Sequence, residues 1–495
     1  MLYFEIIQTY PSEKKALIFK EQVTTYGQLR EQVRKWANFL QAQGVQKGDK
    51  IGLLSKNCAD FVVAYFAITQ AGAVVVPLNF QLTAREVAYI VRDAKLKALV
   101  GKQPVPALEE ALAEAGYAQP VVQLTYADLA RPTQHEFRTP DLVDSDNCTI
   151  IYTSGTTGKP KGAMLSHQNL VTNARDFTKV VRIEANDIAL CVLPMYHCFA
   201  WTVAVSGQLL HGACIVIQET YLFKDTMKLL AQHRVNAFIG VPTMMQFFVN
   251  GALPEELLNI RYFISGGSAL PRILAEAFKK KFGKFVQEGY GLSEAAPVVT
   301  VNPPEKIKIG SIGLPLPGVE VSLQTAEGTP LATGEVGELC VRGPNVMLGY
   351  LNLPAATTEA LRGGWLHTED LAYQDSEGYL FIVDRLKDMI ISSGENVYPR
   401  EIEEVLYTHP QIAEVAVIGV PDKLRGQAIC AYLVLKEGAQ LTKSAVRKFL
   451  LARIAAYKVP REFLFCQQMP KSATGKILKT ALREQALVDL LQRKH

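Results

Sequence analysis

"KIGLLSKNCADFVVAYFAITQAGAVVVPL", residues 50–78, contains the pattern from which the fold class follows. A short apolar run at 50–55 precedes an apolar, helix-like segment that stops at Gly72, and a second apolar run follows at 73–78. Apolar runs of about four to eight residues between turn residues are typical of buried strands, and glycine is typical of the position just after a helix. The order strand, helix, strand predicts parallel strands joined by helices.

The same alternation continues through about the first 300 residues. Further strand-like runs are CIVI at 214–217 and AFIGVP at 237–242, and TAREVAYIVRDA and LPRILAEAFKKKFG are helix-like. Beyond about residue 310 the strands VEVSL, VGELCVRG and GYLFIVD are separated by turn residues, and a compact tail contains EVAVIGV and AICAYLVL. We therefore predict the α/β class. A large N-terminal domain has layered mixed α/β sheets and a small β-barrel-like region, and a small mobile α+β domain follows it.

Length and charge restrict the class of protein. The 495 residues are too many for one ordinary core, so we expect two or more domains. A net charge of +4 does not support nucleic-acid binding. The eight cysteines are scattered without zinc spacing, which predicts reduced core thiols and a cytoplasmic location. The start, MLYFEIIQTYPSEKK, has no features of an export signal.

Two charge-free stretches, 61–84 and 188–218, are long enough to cross a bilayer. The first is interrupted by Gly72 and Pro77, and the second by Pro194 and Gly207. We therefore expect buried core rather than membrane spans, with a ligand pocket in the second stretch.

The segment YTSGTTGKPKGAM, residues 152–164, predicts a phosphate-binding turn. It does not fit the P-loop pattern, because Gly158-Lys159 is followed by Pro160 and not by serine or threonine. It nevertheless follows a strand-like run, CTIIYTS, and its glycines allow backbone N–H groups to point at an anion. Hydroxyl groups and Lys161 add donors and charge. The alternative is a solvated hairpin.

Several segments together resemble the adenylate-forming enzymes, the superfamily of acyl-CoA synthetases, luciferases and peptide-synthetase adenylation domains. The similarity is closest to bacterial fatty-acyl-CoA synthetases and covers nearly the whole chain. The segments, in the family's order, are YTSGTTGKPKG, SGGSAL at 265–270, EGYGLSE at 288–294, GELCVRGPNVMLGY at 337–350, GGWLHTEDLAY at 363–373, DRLKDMIISSGENVYPREIE at 384–403 and PKSATGKILK at 470–479.

The resemblance implies a reaction in two steps. A carboxylate attacks the α-phosphate of ATP to give an acyl-adenylate and pyrophosphate, and a thiol, usually coenzyme A, then displaces AMP. The expected cofactors and co-substrates are ATP, Mg²⁺ and coenzyme A. Since two unit charges about 4 Å apart repel by about 4 kcal/mol at an effective dielectric near 20, the site needs positive charge at the α-phosphate.

Four residues are implied to be catalytic. Lys476 touches both the carboxylate and the α-phosphate in the family, and Glu294 holds Mg²⁺. Ser293, where many relatives have threonine, donates to the α-phosphate. His197 lies beside the reacting carboxylate. The alternatives are a surface lysine at 476 and a core histidine at 197.

The resemblance also implies the nucleotide contacts. Tyr290 stacks on adenine, Asp370 accepts from the ribose hydroxyls and Arg385 supports the ribose and phosphate end. A core turn at 266–268 and a plain ion pair of Asp370 with Arg385 are the alternatives. The full predicted set for nucleotide and coenzyme A is Thr153, Ser154, Gly155, Thr156, Thr157, Gly158, Lys161, Gly266, Gly267, Ser268, Gly289, Tyr290, Gly291, Asp370, Arg385, Lys387 and Gly394.

Lys387 resembles the family's hinge, at which one backbone rotation swings the small domain. We therefore predict a large domain over 1–384, a hinge over 385–388 and a small mobile domain over 389–495. The swing withdraws Lys476 after the first step and brings Gly394 to the path of the pantetheine arm.

The stretch LPMYHCFAWTVAVSGQLLHGA, residues 193–213, is expected to line the acyl pocket together with Gly267. No carboxylate is present in it to pair with a substrate ammonium, so a free amino acid is rejected. No arginine is present for a second carboxylate, which disfavours malonate. Trp201 lies one helical turn after His197 if the segment is helical, and it either gates an acyl tunnel or packs in the core.

The function predicted is an ATP-dependent fatty acid–CoA ligase for medium- to long-chain acids. The alternatives are an aryl acid–CoA ligase of the coumarate or succinylbenzoate type, an acyl-AMP ligase that loads a carrier protein, and a catalytically silent binding protein. The partners expected are the acid, ATP and coenzyme A. A homodimer and a loose peripheral membrane contact are left open, and no basic amphipathic helix supports the latter.

Overall fold

The computed structural model describes residues 1–153, 160–422, 425–471 and 477–492, with the backbone alone for 487–492. The α-helices are α1 (Tyr26–Ala42), α2 (Ala59–Gln70), α3 (Ala84–Ala94), α4 (Leu108–Glu114), α5 (Tyr126–Leu129), α6 (His167–Val181), α7 (Gly207–Leu210), α8 (Phe223–Gln232), α9 (Pro242–Gly251), α10 (Arg272–Phe282), α11 (Pro354–Ala360), α12 (Pro399–Tyr407), α13 (Lys443–Leu451) and α14 (Lys479–Gln492). A π-helical segment, Ala200–Ser206, precedes α7, and short 3₁₀ turns lie at Tyr3–Ile7, Pro254–Leu257, Ser293–Ala295, Arg362–Gly364 and Ala456–Lys458.

The strands of the first three hundred residues are β1 (Lys15–Phe19), β2 (Gln22–Thr25), β3 (Lys50–Leu54), β4 (Val74–Leu78), β5 (Ala98–Gly101), β6 (Val122–Thr125), β7 (Asn147–Thr153), β8 (Lys161–Ser166), β9 (Ile188–Cys191), β10 (Cys214–Ile217), β11 (Ala237–Gly240), β12 (Tyr262–Ser265), β13 (Val286–Gly291) and β14 (Val298–Val301). The later strands are β15 (Leu314–Pro315), β16 (Glu320–Gln324), β17 (Gly337–Arg342), β18 (Gly349–Tyr350), β19 (Leu366–Gln374), β20 (Leu380–Arg385), β21 (Ile390–Ser392), β22 (Glu395–Val397), β23 (Ile412–Asp422), β24 (Gly426–Leu435) and β25 (Glu462–Phe465).

Two large sheets form the first part of the molecule. One has nine strands in the order β15-β14-β13-β12-β11-β9-β10-β1-β2, and the other has seven in the order β18-β8-β7-β4-β3-β5-β6. The central pairs, such as β11 with β12 and β3 with β4, are parallel, and antiparallel strands lie at the edges. The prediction of α/β layers with largely parallel sheets is therefore confirmed.

The stretch 50–78 folds as its pattern predicts. It forms β3, α2 and β4, and every side chain from Phe61 to Thr69 is buried. Gly72 takes a φ of +87°, which glycine adopts without strain, so the helix ends and the chain turns into β4. The second charge-free stretch likewise forms β9, the π-helical segment, α7 and β10. Among the described helices, none combines the length and the hydropathy needed to cross a membrane.

The C-terminal part is built from smaller sheets. Strands β16, β17, β19 and β20 form a four-stranded antiparallel sheet, which is the predicted β-rich region. A last sheet uses only strands from β21 onward, and apolar clusters on its two faces centre on Val417 and Ile418. The exact domain bounds, 384 and 389, stay a prediction. The eight cysteines are free thiols, and six of them are buried.

Candidate active site

The site lies at the carboxyl ends of parallel strands in the nine-stranded sheet. Strands β11, β12 and β13 are neighbours and run parallel, so the segments that follow them lie side by side. Val241 follows β11, Gly266 and Gly267 follow β12, and Glu294 closely follows β13. Ligands of open α/β sheets bind at this edge.

A small cleft that is open to solvent lies at this edge. Its walls are apolar apart from one histidine, and they consist of Leu193, Pro194, His197, Phe199, Ala200, Val241 and Gly267. The predicted acyl stretch therefore contributes five of these seven wall positions. Val241 was not predicted as a site residue, although it lies in the strand-like run at 237–242 and directly follows β11.

His197 has a defined orientation on the cleft wall. The backbone N–H of Phe199 donates to its Nδ1 at 3.2 Å. Because Nδ1 accepts a hydrogen bond, the neutral ring has its proton on Nε2. Nε2 of this cleft-lining residue is therefore a hydrogen-bond donor.

Glycines allow the chain segments to pack closely around this cleft. Gly267 has a φ of +78°, and a Cβ on Gly266 would lie 3.0 Å from Cζ of Phe199. A Cβ on Gly291 would overlap the carbonyl oxygen of Pro297. Gly289 is half-buried on β13, and Ser268 is half-buried after Gly267. These predicted positions therefore lie together at one sheet edge.

Tyr290, Asp370 and Arg385 form one chain of polar contacts. The hydroxyl of Tyr290 donates to Oδ2 of Asp370 at 2.6 Å, and Nε of Arg385 lies 3.3 Å from Oδ1 of Asp370. Burial raises the pKa of Tyr290 well above its usual value, and the Asp370 carboxylate adds to this shift. The tyrosine therefore stays protonated as a donor, and Asp370, only 7% exposed, is oriented from both sides.

Glu338 orients the segment that presents Asp370. Its Oε1 accepts the backbone N–H of Glu369 at 3.1 Å, and its Oε2 lies 2.8 Å from Nδ1 of His367 and 3.1 Å from Arg362. Glu369 has a φ of +58° next to Asp370. Glu338, Cys340 and His367 also have ligand atoms close enough for a metal ion. The Arg362 pairing gives Glu338 a structural partner and adds a positive charge beside this cluster.

We expect Asp370→Asn to raise the KM for ATP by about 10- to 100-fold, because a hydrogen bond to a charged group contributes about 1.5–3 kcal/mol. Asparagine can still accept from Tyr290, so the melting temperature is expected to change little. Pyrophosphate exchange at varied ATP concentration measures the effect, with Asp225→Asn on the exposed start of α8 as the control. An unchanged KM for ATP would contradict the ribose assignment.

Glu294, Tyr350 and Lys161 form a second group of polar contacts, which is linked through Tyr350. The hydroxyl of Tyr350 donates to Oε1 of Glu294 at 2.9 Å, and Nζ of Lys161 lies 5.2 Å from the centre of the Tyr350 ring. Strand β18 pairs with β8, which brings Tyr350 next to Lys161. A carboxylate oxygen is a hard donor that fits Mg²⁺, whereas Lys161 fits a phosphate. Tyr350 was missed, although it ends the segment 337–350.

Ser293 contacts a cysteine. Its Oγ lies 3.2 Å from Sγ of Cys198, which follows His197 in the chain. Burial raises the pKa of Cys198 to about 11, so the thiol stays neutral near pH 7. Cys198 was interpreted as a plain core residue, and it is buried, but it also touches a predicted catalytic hydroxyl.

Trp201 does not line the cleft as described. Its backbone N–H donates to the carbonyl of His197 at 3.0 Å, which confirms the expected helical turn. Its ring stacks on Tyr65 at 4.0 Å between centroids, with Phe61 and Phe66 also close. Trp201 is 2% exposed and is not among the residues that line the cleft, so it packs in the aromatic core next to the lining residue Ala200 in the chain.

The remaining predicted residues fall both outside and inside the described part of the chain. Ser154, Gly155, Thr156, Thr157, Gly158 and Lys476 lie outside the described residues. Thr153, which ends β7, donates to the carbonyl of Lys161 at 3.5 Å. Lys387 is exposed, and Gly394 lies at the turn between β21 and β22. No described atom lies within 4 Å of a Cβ placed on Gly394, so this orientation does not bring it to the cleft.

Family models match most of the chain. The model of the AMP-binding enzyme matches residues 4–351, and that of the AMP-binding enzyme C-terminal domain matches residues 401–476. Among similar curated proteins is a feruloyl-CoA synthase of an Amycolatopsis species, 38% identical over 93% of each chain. Another is a long-chain-fatty-acid–CoA ligase of Salmonella typhimurium, 35% identical over 98% of this chain and 94% of its own.

Solved structures agree over nearly the full length. ATP-bound MatB from Rhodopseudomonas palustris superposes with a TM-score of 0.92 at 31% identity, covering 98% of this chain and 99% of that one. The o-succinylbenzoate CoA synthetase MenE from Bacillus subtilis, in complex with ATP and magnesium, gives a TM-score of 0.87 at 30% identity over 98% of both chains.

Proposed function

This chain belongs to the AMP-binding enzyme family, and from that premise we propose that it is an ATP-dependent fatty acid–CoA ligase for medium- to long-chain acids. At the coarser level it is an adenylate-forming ligase that joins an acyl or aryl acid to coenzyme A. The apolar cleft beside His197 is the observation that supports the fatty acid. Each methylene that enters such a cleft contributes about 0.8 kcal/mol.

In the first step an oxygen of the carboxylate attacks the α-phosphorus of ATP. The bond from that phosphorus to the β-phosphate oxygen breaks, and pyrophosphate leaves with the electron pair. His197 orients the acid through Nε2–H, Ser293 donates to the α-phosphate, and Lys476 supplies the positive charge between the two anions. Tyr290, Asp370 and Arg385 hold the nucleoside. Glu294 would hold Mg²⁺, which would supply further positive charge to the phosphates.

In the second step the sulfur of coenzyme A attacks the carbonyl carbon of the acyl-adenylate. The carbon–oxygen bond to the phosphate breaks, AMP leaves, and the thiol proton passes to solvent. Rotation at the hinge near Lys387 moves Lys476 out of the site and brings the β21–β22 turn, which contains Gly394, into its place. Because Gly394 has no side chain, the turn leaves room for the pantetheine arm.

An aryl acid is the second candidate. The relative named feruloyl-CoA synthase supports it, and the apolar lining of the cleft suits an aromatic ring as well as an alkyl chain.

A panel of acids with ATP and coenzyme A distinguishes these proposals. It contains saturated acids of four to eighteen carbons, coumarate, ferulate, succinylbenzoate and malonate, and AMP and thioester are followed together. The expected result is the highest kcat/KM for an alkyl acid of eight carbons or more. A preference for an aryl acid selects the second candidate, and AMP release without thioester indicates a carrier protein as the acceptor.

Trp201→Ala tests whether this buried tryptophan restricts the length of the acyl chain. If Trp201 closes the route, its removal is expected to raise the ratio of kcat/KM for sixteen against eight carbons by at least about threefold, because about one or two more methylenes can then be buried. Steady-state kinetics on the acid panel measure this ratio. Trp36→Ala, which removes a tryptophan stacked on Tyr126, is the control for the loss of core packing. An unchanged chain-length profile would show that Trp201 does not gate an acyl tunnel.

We also propose a cytoplasmic location, because eight free thiols are typical of a reducing compartment. The homodimer and the loose membrane contact stay predictions.

A further inference from the structure

A cluster of charged residues joins the two predicted domains. We call it the interdomain cluster, and it consists of Arg272, Glu288 and Asp384 before the predicted hinge and Arg400 and Glu404 after it. Arg400 and Glu404 lie on the first and second turns of α12, which begins at Pro399. The cluster therefore spans the boundary between the two predicted domains.

Arg400 makes most of these contacts. Its Nη1 donates to the carbonyl oxygen of Ile382 on β20 at 2.9 Å. Its backbone N–H donates to Oδ2 of Asp384 at 2.8 Å, so this carboxylate caps the start of α12. Its Nε lies 3.8 Å from Glu404, and the side chain is only 16% exposed. One residue thus ties the helix to the strand that ends at the hinge.

Glu404 and Glu288 complete the cluster. Oε2 of Glu404 accepts the backbone N–H of Arg272 at the start of α10, at 3.4 Å. Glu288, two residues before Tyr290, accepts the backbone N–H of Leu270 at 2.9 Å through Oε1. Its Oε2 is buried and has no hydrogen-bond partner among the described residues. Burial raises the pKa of Glu288 to about 7, and the positive charge of Arg400 acts against this rise.

The orientation held by these contacts suits the first half-reaction. Lys479, three residues after Lys476, forms an ion pair with Glu403 at 2.8 Å on the buried side of α12. The positive charge of Lys479 also lowers the pKa of Asp384, against the rise that burial causes, which indicates that these two side chains are close. A Cβ placed on Gly394 would meet no described atom of the predicted large domain within 4 Å. Lys479, three positions after the predicted catalytic lysine in the chain, thus lies near a carboxylate of the predicted large domain, whereas Gly394 does not approach that domain.

We propose that Arg400 is a positioning residue that holds the small domain in the orientation for adenylate formation. This inference rests on the proposed function, because it assigns the observed orientation to one of its two steps. Rotation at the hinge has to break the bonds from Arg400 to Ile382 and Asp384. It also separates Arg400 from the buried carboxyl of Glu288.

The test compares the two half-reactions of Arg400→Met. We expect pyrophosphate exchange into ATP to fall at least about fivefold, because the hydrogen bonds from a charged guanidinium are lost. Thioester formation from supplied acyl-AMP and coenzyme A is expected to be unchanged or faster. Arg400→Lys, which keeps the charge, is expected to recover part of the exchange rate, and Arg447→Met, an exposed arginine on α13, is the control.

The outcomes separate this inference from the function on which it rests. If the unmodified enzyme shows no exchange with any acid, the proposed function is wrong. If the unmodified enzyme exchanges pyrophosphate, the positioning role is wrong in either of two cases. Arg400→Met lowers the rates of both half-reactions equally, or it changes the rate of neither. Glu404→Gln is the second test if Arg400→Met does not fold. It is expected to change the ratio of the pyrophosphate-exchange rate to the thioester-formation rate in the same direction.

Discussion

Lys476→Ala is expected to lower adenylate formation by about a thousandfold or more while largely sparing thioester formation from supplied acyl-AMP. In the first step two anions meet, and a cation placed between them stabilises the transition state more than the separate reactants. Loss of one charged donor at a transferring phosphoryl group costs about a hundred- to a hundred thousandfold in rate. In the second step the mixed anhydride between the acid and AMP is already formed, so the lysine is no longer required.

The measurement pairs pyrophosphate exchange with a single-turnover assay of the second half-reaction. Lys471→Ala is a matched control, because it removes a lysine from the same segment that is paired with Glu414 at 2.6 Å. Equal losses in both half-reactions would show that Lys476 supports folding or nucleotide binding in general rather than the first step.

Glu294→Gln has the second largest expected effect, a loss of about a hundredfold or more in adenylate formation. Glutamine retains the oxygen that accepts from Tyr350, so the local packing is expected to persist. It removes the negative charge, however, and Mg²⁺ prefers carboxylate oxygen to amide oxygen. The positive charge that the metal provides at the phosphates is then lost from the site.

Magnesium titration of pyrophosphate exchange measures this effect, and the half-saturating Mg²⁺ concentration is expected to rise at least about tenfold because one ligand charge is removed. Glu327→Gln, in an exposed turn, is the control for the loss of a carboxylate. A fall in rate that leaves the magnesium dependence unchanged would assign Glu294 to nucleotide packing instead.

The elements of the fold followed from local patterns. The strands predicted at 50–55, 73–78, 214–217 and 237–242 all form, because short apolar runs between turn residues are buried whichever partner they find. The helices predicted at 83–94 and 270–283 form for a similar reason, and Thr83 caps the first of them in a capping box with Glu86. These outcomes depend on residues within about one or two helical turns of each other.

The set of residues at the site followed from motifs, but their partners did not. Tyr350 is 56 residues from Glu294, Tyr290 is 80 from Asp370, and Cys198 is 95 from Ser293. A periodic pattern reports which face of an element is buried, and it contains no information on which distant side chain lies opposite. Nothing in the local sequence distinguishes Cys198 or Tyr350 from neighbours that touch no predicted site residue.

The amino-acid sequence by itself determined the α/β class and the family, because each depends on local periodicity or on residue types in a fixed order, and from the same motifs it predicted the catalytic groups. The tertiary structure alone decided that Trp201 lies in an aromatic stack with Tyr65, and that Arg400 reaches back to β20. Both positions result from packing between elements far apart in the chain. Burial and charge pairing select such contacts only when the strands and helices have come together.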